Sequence, residues 1–292
     1  MYSQMITHLY TVTWNEADIL GFFFRHYDPW IDRYIVYDNG SEDETLALLR
    51  AHPRVEVRRF EWTAPGSFVW SHWQMQNTVW KESRGCADWV IITAVDEHLH
   101  VPGISMRDYL EDCRKQHITW IPAMGYQMVS EELPGADEHL SETRTFGAPD
   151  SDFNKLSIFN PDSISATNFW RGRHRASPTG RLRLPPRDQL LLLHYKHLGF
   201  EQTLTRYQWQ LTALQGGDLA QKIDFHYSWS RDRFSRQWNW LTHHAVDISA
   251  PAMKHWKHHL TTRYWRRSFL LSRVSRLVPG AVKQALKNVF LR

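Results

Sequence analysis

Two adjacent carboxylates follow an apolar stretch of the sequence, and they are the first residues whose types and spacing could do chemistry. The stretch Trp89–Val95 is rich in β-branched residues, and Asp96 and Glu97 come directly after it. A turn does not require two acids here, whereas a hard divalent cation such as Mg²⁺ or Mn²⁺ is bound by carboxylate oxygens. Because successive side chains on an extended backbone point in opposite directions, we expect Asp96 to bind such a cation and Glu97 to orient a neighbour or anchor the loop.

The first 130 residues alternate between the patterns of strands and helices. This alternation predicts an α/β fold with a mostly parallel central sheet and helices on both faces. In such sheets, ligands bind beyond the carboxyl ends of the strands. The predicted strands are Met5–Val12, Arg33–Tyr37, Val55–Phe60 and Trp89–Val95, and the predicted helices are Glu16–His26, Ser41–Leu49 with a capping box of Ser41 and Glu44, and Phe68–Glu82.

Polar side chains gather where three of the predicted strands end. Since parallel strands share one carboxyl edge, we expect these groups to converge in one crevice. A structural interpretation stays open for each of them, because Asn and Asp are common turn residues and Ser is a common helix cap. The groups are Thr13, Asn15 and Glu16 after the first strand, Asp38, Asn39 and Ser41 after the second, and Asp96 after the fourth.

Composition restricts the class of protein. With 42% hydrophobic and 14% aromatic residues, the 292-residue chain can form one large core or two modest ones. Its apolar stretches fall far short of the roughly 20 residues of a transmembrane helix. The N-terminus lacks the pattern of a signal peptide, and the cysteines are Cys86 and Cys113. We therefore expect a cytoplasmic protein.

The charge distribution separates an acidic body from a basic tail. Residues 248–292 contain ten of the 35 Lys and Arg residues and none of the 31 Asp and Glu residues. Apolar residues recur at helical spacing on both sides of Pro279-Gly280, which predicts two short amphipathic helices. Basic helices of this kind bind anionic membrane surfaces, so residues 254–292 are predicted to contact one, with packing onto the body as the alternative.

The order and spacing of the motifs resemble the nucleotide-sugar domain of family 2 glycosyltransferases, in their bacterial branch. The matching segments are T-W-N-E-A-D-I-L from Thr13, R-Y-I-V-Y-D-N-G-S-E-D-E-T from Arg33 and A-D-W-V-I-I-T-A-V-D-E-H-L from Ala87. The likeness extends more faintly to N-K-L-S-I-F around Lys155 and to L-L-H-Y-K around His194. It implies a GT-A fold, a nucleoside diphosphate sugar donor, a divalent metal and inversion at the anomeric carbon.

The resemblance also implies roles for individual residues. Asp38 would hydrogen-bond the nucleobase, the run Thr13–Glu16 would line the nucleotide cleft, and Asp96 would hold the metal or the donor ribose and phosphate. Where the family has the first Asp of a D-x-D motif, this chain has Ala94. This replacement leaves metal binding to Asp96 and a histidine. His194 resembles the late histidine of such sites, although in a chain with 17 histidines an ordinary packed residue is the alternative. The predicted donor-binding set is completed by Asn39, Ser41 and Lys155.

An inverting transfer needs a base that takes the proton of the acceptor hydroxyl. Acidic residues follow the predicted strand Ile118–Val129, and we predict Glu132 as this base, with Glu131 as the second choice. Solvated surface acids are the alternative for both. Two further acids of the same loop are Asp137 and Glu138.

A basic segment follows in the predicted acceptor side of the protein. Arg171, Arg173 and His174 are predicted to contact the diphosphate or an anionic acceptor, since guanidinium groups bind phosphates and carboxylates in pairs of hydrogen bonds. A solvated loop is the alternative.

We therefore predict a metal-dependent, inverting glycosyltransferase of cell-surface polysaccharide or lipopolysaccharide synthesis, peripheral at the inner membrane face. Residues 1–247 would form the GT-A domain, with 1–130 binding the nucleoside diphosphate sugar and 131–247 the glycan or lipid-linked acceptor, and 248–292 a helical tail. The replacement by Ala94 leaves open a nucleotide-sugar-binding protein without turnover. The alternation of Asp96, His98 and His100 leaves open a metal-dependent hydrolase. Nucleic-acid binding by the tail is disfavoured by the acidic body, so no nucleic-acid partner is expected.

Overall fold

The structure, a computed structural model, describes residues 4–213 and 228–250 together with Met253 and His255. The predicted tail helices and the predicted membrane-binding segment lie outside these residues, apart from His255. None of the helices in the described part combines the length and hydropathy that crossing a bilayer requires. Cys86 is exposed, Cys113 is buried, and both are free thiols.

The described residues form thirteen strands and seven α-helices. In chain order the strands are β1 (Thr7–Thr13), β2 (Arg33–Asp38), β3 (Val55–Arg59), β4 (Trp89–Ile92), β5 (Glu97–His100), β6 (Trp120–Pro122), β7 (Met124–Ser130), β8 (Phe146–Pro149), β9 (Leu156–Phe159), β10 (Ile164–Ala166), β11 (Thr179–Gly180), β12 (Leu191–Leu198) and β13 (Val246–Asp247). The α-helices are α1 (Ala17–Tyr27), α2 (Thr45–Ala51), α3 (Phe68–Thr78), α4 (Met106–Lys115), α5 (Leu140–Thr143), α6 (Phe200–Ala213) and α7 (Arg231–His244). Short 3-10 helices span Val79–Ser83, Ser151–Phe153 and Arg171–Arg173.

The central sheet has the strand order β3-β2-β1-β4-β9-β6. Its first four strands are parallel, and β9 and β6 extend it with antiparallel pairs. The prediction of an α/β fold with a mostly parallel central sheet is therefore confirmed. A second sheet, in the order β13-β8-β7-β12-β5, pairs β7 with β12 in parallel and is otherwise antiparallel.

Apolar residues cover both faces of the central sheet, because successive side chains of a strand point to opposite sides. One core cluster contains Leu9 and Ile91 of the sheet with Phe23 of α1. The other contains Tyr10 with Trp80, which lies on the 3-10 helix that continues α3. Helical segments thus lie on both faces, as predicted, and they leave the carboxyl ends of the strands as the open edge.

Helix α2 begins later than predicted, and the predicted capping box is wrong. The helix starts at Thr45, and Glu44 before it makes no side-chain hydrogen bond to the helix. Ser41 lies three residues before the N-cap position, which Glu44 occupies, and its hydroxyl accepts the backbone N–H of Asn15 over 2.9 Å. The serine therefore links two strand ends instead of opening a helix.

The fourth strand is shorter than predicted and ends at Ile92. Beyond it, the Thr93 hydroxyl and the Ala94 N–H donate to Glu97 Oε2 over 3.3 and 3.2 Å, and the Glu97 N–H donates to Ala94 O over 3.1 Å. These bonds form a turn that leads from the central sheet into β5 of the second sheet. The turn places Asp96 at the junction of the two sheets.

Two other predicted elements are divided in the structure. The predicted helix Phe68–Glu82 is α3 followed by a 3-10 helix, and the predicted strand Ile118–Val129 is β6 followed by β7. The break between these strands falls at Ala123, whose N–H donates to Lys155 O over 2.8 Å. One continuous stretch of sequence therefore contributes to both sheets.

His26 should make the stability of the protein depend on pH. Burial lowers its pKa to about 4, although its Nε2 atom lies 2.8 Å from Leu99 O, and its ring stacks on His98 at 4.4 Å. The unfolded chain binds this proton near pH 6.5, so the contribution to stability is present above that pH and is lost as the pH falls toward 4. Urea denaturation at pH 7 and pH 5 should show a smaller pH difference for His26→Gln than for the wild type.

The exposed His243 provides the matched control for this measurement. His243→Gln should keep the wild-type pH difference, because its ring is exposed and is not among the groups that shift the pKa of His26. Equal pH differences for all three proteins would show that His26 does not cause the effect.

Candidate functional site

The carboxyl ends of β1 and β2 are held together by hydrogen bonds. The Asn39 N–H donates to Thr13 O, and the Asn15 N–H donates to Ser41 Oγ, both over 2.9 Å. Asn15 Oδ1 accepts the Glu42 N–H over 2.8 Å. Asn15 also has a φ of 50°, a left-handed conformation that Asn adopts more readily than most residues. The contacts of Asn15 are those of a turn residue, which was the alternative to donor binding. They also hold the ends of β1 and β2 close together.

Asp38 ends β2 and is buried. Its Oδ2 atom accepts the N–H groups of Gly40 and Ser41 over 2.9 and 3.1 Å. This is the turn arrangement that stood as the alternative to base recognition. A carboxylate has about four acceptor sites, so the second oxygen, which is 3.3 Å from the Ser41 nitrogen, retains the capacity to accept from a ligand.

A cavity of about 430 Å³ opens beside the ends of β2 and β3. Its walls include Asp38, Asn39, Arg58, Arg59 and Trp62. Asn39 Oδ1 accepts the indole N–H of Trp62 over 2.9 Å, which fixes the aromatic ring at the wall. The volume lies in the range typical of small-molecule sites. An indole face, guanidinium groups and a carboxylate together suit a ligand that has a flat ring and negative charge.

Asp96 lies at the junction of the two sheets with 11% of its side chain exposed. Its Oδ2 atom is 3.4 Å from His194 Nε2 and 3.6 Å from Arg206 Nη2. Arg206 also pairs with Glu16, so the first and fourth strand ends meet through one guanidinium. Burial would raise the pKa of Asp96, but His194 and Arg206 hold it well below its usual range. Asp96 is therefore ionised at neutral pH and remains partly open to solvent.

A second acid and a second cation lie near Asp96. Burial raises the pKa of the Glu16 carboxyl, and Arg206 and Lys196 oppose the rise. The Lys196 ammonium lies 4.9 Å from the ring centre of Tyr207, and its charge also lowers the pKa of Asp96. Two acids and two cations thus meet at the open edge of the central sheet.

A chain of hydrogen bonds fixes the orientation of His194. Gln127 Nε2 donates to Asp150 Oδ2 over 3.0 Å, which turns Gln127 Oε1 toward the imidazole, where it accepts His194 Nδ1–H over 2.7 Å. The Asp150 carboxylate can only accept, so Gln127 must donate to Asp150 and accept from His194. His194 Nδ1 is therefore the donor to Gln127, and His194 Nε2 faces Asp96. With Nδ1 donating to Gln127, Nε2 is the ring nitrogen that can donate to Asp96 when the imidazole is protonated and bind a cation when it is neutral. Partners such as Gln127 orient the histidines of metal sites.

Phe153 covers one face of the His194 ring. The two rings stack with centroids 4.4 Å apart and an angle of 22°. The Lys155 ammonium lies 4.5 Å from the centre of the same phenyl ring, so Phe153 separates the lysine from the imidazole. Gly125 is required here, because a Cβ atom at that position would lie 2.3 Å from the Phe153 Cβ.

Asp96 and His194 can supply one carboxylate oxygen and one imidazole nitrogen to a divalent cation. In residues 4–213 and 228–250, and at the two further described positions, no group of three or more His, Cys, Asp or Glu could hold a metal. The hydrolase alternative required such a group from Asp96, His98 and His100, and the described residues do not provide it. A cation held by Asp96 and His194 would take its other ligands from phosphate and water, as Mg²⁺ commonly does. The combination of one oxygen and one nitrogen ligand fits Mn²⁺ better than Mg²⁺.

Glu97 lies inside the protein, with 2% of its side chain exposed. Its Oε1 atom accepts Lys155 Nζ over 2.6 Å, and Oε2 accepts the Arg173 guanidinium. Burial would raise the pKa of Glu97, but the two cations hold it well below its usual range. The expectation that Glu97 anchors a neighbour is confirmed by these contacts. The predicted roles of Lys155 in donor binding and of Arg173 in acceptor binding require that each faces a ligand. In the structure both instead lie in this buried ion cluster.

The remaining predicted basic residues lie apart from one another. His174 Nδ1 contacts Asp152 O, and Arg171 packs on two tryptophan rings. The segment is therefore not one anion-binding group, because Arg173 points inward between these two neighbours.

The predicted bases Glu131 and Glu132 lie on the exposed loop after β7. Glu132 Oε2 is 3.9 Å from Arg144 Nη1, and 87% of the Glu132 side chain is exposed. Among the contacts of the described residues, none joins either acid to Asp96. Their role as the base stays a prediction.

Sequence reasoning missed several residues that the structure places around the site, among them the cation Lys196. Arg206 contacts Asp96 from α6, and Gln127 and Asp150 support His194 from behind. Arg206 could have been found from the sequence, because it is a basic residue on the predicted helix that directly follows the His194 segment. Neither Gln127 nor Asp150 belongs to a motif, and only the pairing of β7 with β8 and β12 brings them to His194.

Comparison with known proteins finds fold-level likenesses at low similarity. No family model and no curated protein matches the chain. The chain is similar to glucosyl-3-phosphoglycerate synthase of Mycobacterium tuberculosis, solved with Mn²⁺, UDP and glucosyl-3-phosphoglycerate, at 16% identity and a TM-score of 0.34. That match covers 59% of this chain and 63% of the synthase chain, which is less than two thirds of its length.

A second solved structure with similarity is a 4-diphosphocytidyl-2C-methyl-D-erythritol synthase. The identity is 12% and the TM-score is 0.28, over 55% of this chain and 77% of that chain. Both TM-scores lie below 0.5, so neither likeness says what this chain binds or transfers.

Proposed function

We propose that the protein is a glycosyltransferase of the GT-A type that moves a sugar from a nucleoside diphosphate sugar to a glycan or lipid-linked acceptor. The observation that carries the proposal is the pair of the partly exposed Asp96 and the buried His194, which lie 3.4 Å apart at the carboxyl edge of a parallel sheet. A cavity lined by Asp38 and Trp62 opens at the same edge. This edge is where α/β sheets bind their ligands.

The nucleoside would bind in the 430 Å³ cavity. Its base would stack on Trp62 and donate to the free acceptor site of Asp38. Strands β2 and β4 both neighbour β1, and neighbouring strands are about 4.8 Å apart, so β2 and β4 lie about 10 Å from each other across the sheet. Beyond Ile92 at the end of β4, the chain continues to Asp96. A ribose diphosphate can extend over this distance and would reach Asp96.

Charge neutralisation at the diphosphate is the chemical task of the site. The leaving diphosphate gains negative charge as the bond to the anomeric carbon breaks, and preorganised cations stabilise that charge. Arg206 and Lys196 lie close enough to Asp96 to affect its ionisation, and they can contact the phosphate oxygens. A divalent cation held by Asp96 and His194 would add Lewis-acid stabilisation of the same charge.

The acceptor reaction and the cellular role belong to the proposal as well. Glu132, or secondly Glu131, would take the proton of the acceptor hydroxyl, with inversion at the anomeric carbon. The protein would act at the cytoplasmic face of a membrane, with residues 254–292 binding anionic lipid, in surface polysaccharide or lipopolysaccharide assembly. The resemblance of the sequence motifs and the basic composition of the tail support these statements.

A ligand screen with a turnover assay tests the proposal. Thermal shift would be measured with nucleoside diphosphates and nucleotide sugars, each with and without Mn²⁺, and donor hydrolysis would be followed for every ligand that stabilises the protein. We expect stabilisation by one nucleotide class, increased by Mn²⁺, and release of the nucleoside diphosphate. Binding without hydrolysis or transfer would favour the nucleotide-sugar-binding protein that Ala94 suggests, and no binding at all would refute both.

His194→Ala should weaken Mn²⁺ binding at least about tenfold, because it removes one of the two protein ligands. The electron paramagnetic resonance signal of free Mn²⁺ measures this affinity without any substrate. His139→Ala removes an exposed imidazole and is the matched control. Equal Mn²⁺ affinity in all three proteins would show that His194 and Asp96 form a simple ion pair and not a metal site.

A further inference from the structure

Two tryptophans and an arginine form a ledge on the surface of the protein. The Arg171 guanidinium carbon lies 5.3 Å from the ring centre of Trp70 and 5.5 Å from that of Trp170. The two indole rings are 6.2 Å apart and nearly perpendicular, and Trp170 is 49% exposed. We call Trp70, Trp170 and Arg171 the tryptophan–arginine ledge.

Arg171 differs from its neighbour Arg173 in its ion pairs among the described residues. In that part of the chain Arg171 makes no ion pair, and its Nε atom is buried without a hydrogen-bond partner. Arg173, two residues away, has the same unpartnered Nε atom, but its terminal nitrogens pair with Glu97 and donate to Ile92 O. The indole rings thus pack against an arginine whose charge has no carboxylate partner in the described residues.

The ledge is attached rigidly to the candidate site. Arg173 Nη1 donates to Ile92 O over 2.6 Å at the end of β4, and the residue after the ledge, Gly172, has a φ of 62°. A Cβ atom at Gly172 would lie 2.6 Å from the His174 ring, so the tight turn requires glycine. Since only Gly172 separates Arg171 from Arg173, the ledge is linked through Arg173 to the strand end that leads to Asp96.

The other side of the ledge is fixed by α3. Trp70 contacts Trp73 with ring centres 5.5 Å apart, and the Trp73 indole N–H donates to Phe169 O over 2.6 Å. Asn77 Oδ1 accepts the Phe169 N–H over 2.8 Å. These bonds tie the helix to the segment that carries Trp170, so the ledge is formed before any ligand arrives.

We propose that the tryptophan–arginine ledge binds an acceptor sugar that carries a carboxylate or a phosphate group. The inference rests on the proposed glycosyltransferase function and names its acceptor class. An indole presents a flat apolar surface suited to the apolar face of a sugar ring, and a guanidinium forms paired hydrogen bonds with a carboxylate or phosphate. A neutral glycan would leave the charge of Arg171 without a partner.

Binding of three small sugars to the full chain tests the proposal. Methyl glucuronide, glucose 6-phosphate and methyl glucoside would be titrated by saturation-transfer NMR, with and without UDP and Mn²⁺. Wild-type protein should bind at least one anionic sugar about tenfold more tightly than the neutral one, and the two anionic sugars tell a carboxylate site from a phosphate site. Arg171→Gln should remove this preference, Arg171→Lys should keep part of it, and Trp170→Ala should weaken all three.

Arg175→Gln is the matched control, because it removes one exposed charge from the same loop. It should bind all three sugars as the wild type does, and the melting temperature of every variant shows that it is folded. Equal binding of neutral and anionic sugars, equal losses in the Arg171 and Arg175 variants, or no sugar binding at all would overturn the proposal. Tighter binding of a thymidine oligonucleotide than of either anionic sugar would also overturn it and would indicate a nucleic-acid surface.

The nucleotide measurement separates this proposal from the function on which it rests. Stabilisation by a nucleoside diphosphate with Mn²⁺, combined with a failure of the sugars to bind, would refute the ledge alone. Sugar binding that depends on Arg171, without any nucleotide effect, would refute the glycosyltransferase and leave an anionic-sugar site.

Discussion

Asp96→Asn should lower the rate of sugar transfer by at least about 10²-fold while the protein stays folded. Asp96 lies at the open edge of the central sheet beside His194 and Arg206, so it contributes to chemistry more than to packing. The amide keeps the shape of the side chain but removes the charge that would hold a cation in the proposed site. Steady-state kinetics should show the loss mainly in kcat, because in the proposed reaction that cation would stabilise the leaving diphosphate.

The control for this variant is Asp137→Asn, whose carboxylate is fully exposed and 3.7 Å from Arg25. It should transfer sugar at the wild-type rate. Full activity of Asp96→Asn would remove Asp96 from the site and would end the proposed mechanism. A large loss accompanied by a lower melting temperature would have to be repeated with Asp96→Glu, which should retain the fold and part of the metal binding.

Glu97→Gln should destabilise the protein by about 3–5 kcal/mol, the range found when one partner of a buried ion cluster is removed. The glutamine leaves the charges of Lys155 and Arg173 in the interior without a counterion. Burial already lowers the pKa of Lys155, an effect that Glu97 opposes, so losing the acid favours the neutral lysine. The free energy of unfolding, measured by urea denaturation, gives the size of the effect.

An exposed pair of the same residue types supplies the control. Glu201 and Arg231 form an ion pair in which both side chains are 60% exposed, and Glu201→Gln should leave the free energy of unfolding nearly unchanged, because water screens exposed ion pairs. Equal losses for the two substitutions would show that the Glu97 cluster is not desolvated. Replacing the cluster as a whole, with Glu97→Leu, Lys155→Met and Arg173→Met together, should recover much of the loss in stability because no charge is then left buried.

Local patterns were sufficient to predict the parallel part of the fold. Short runs rich in apolar and β-branched residues identify β1, β2 and β4, since each strand buries both of its faces. Turn signals such as Asp38-Asn39-Gly40 mark where the strands end. The predicted strand ends do converge, because parallel neighbours must share an edge. The later strands β9 and β6 pair in antiparallel fashion, and no local signal distinguishes that arrangement.

Contacts that depend on distant parts of the chain were not predictable from local patterns. Ser41 matches a helix cap by sequence, but Asn15, 26 residues away, takes its hydroxyl. Arg173 resembles a surface arginine, but Glu97, 76 residues away, draws it inside. The approach of His194 to Asp96 was expected only through the resemblance to a family, because the residues are joined by the pairing of β5 with β12.

The buried cluster around Glu97 also determines how the molecule can be divided. Glu97 comes from the turn after β4, whereas its partners come from β9 and from the 3-10 helix Arg171–Arg173. A fragment truncated after residue 150 would retain the acids Asp96 and Glu97 but none of the cations that compensate them. Residues 1–150 therefore cannot be transplanted as an autonomous module, and chimeras between related chains would have to exchange both parts of the chain together.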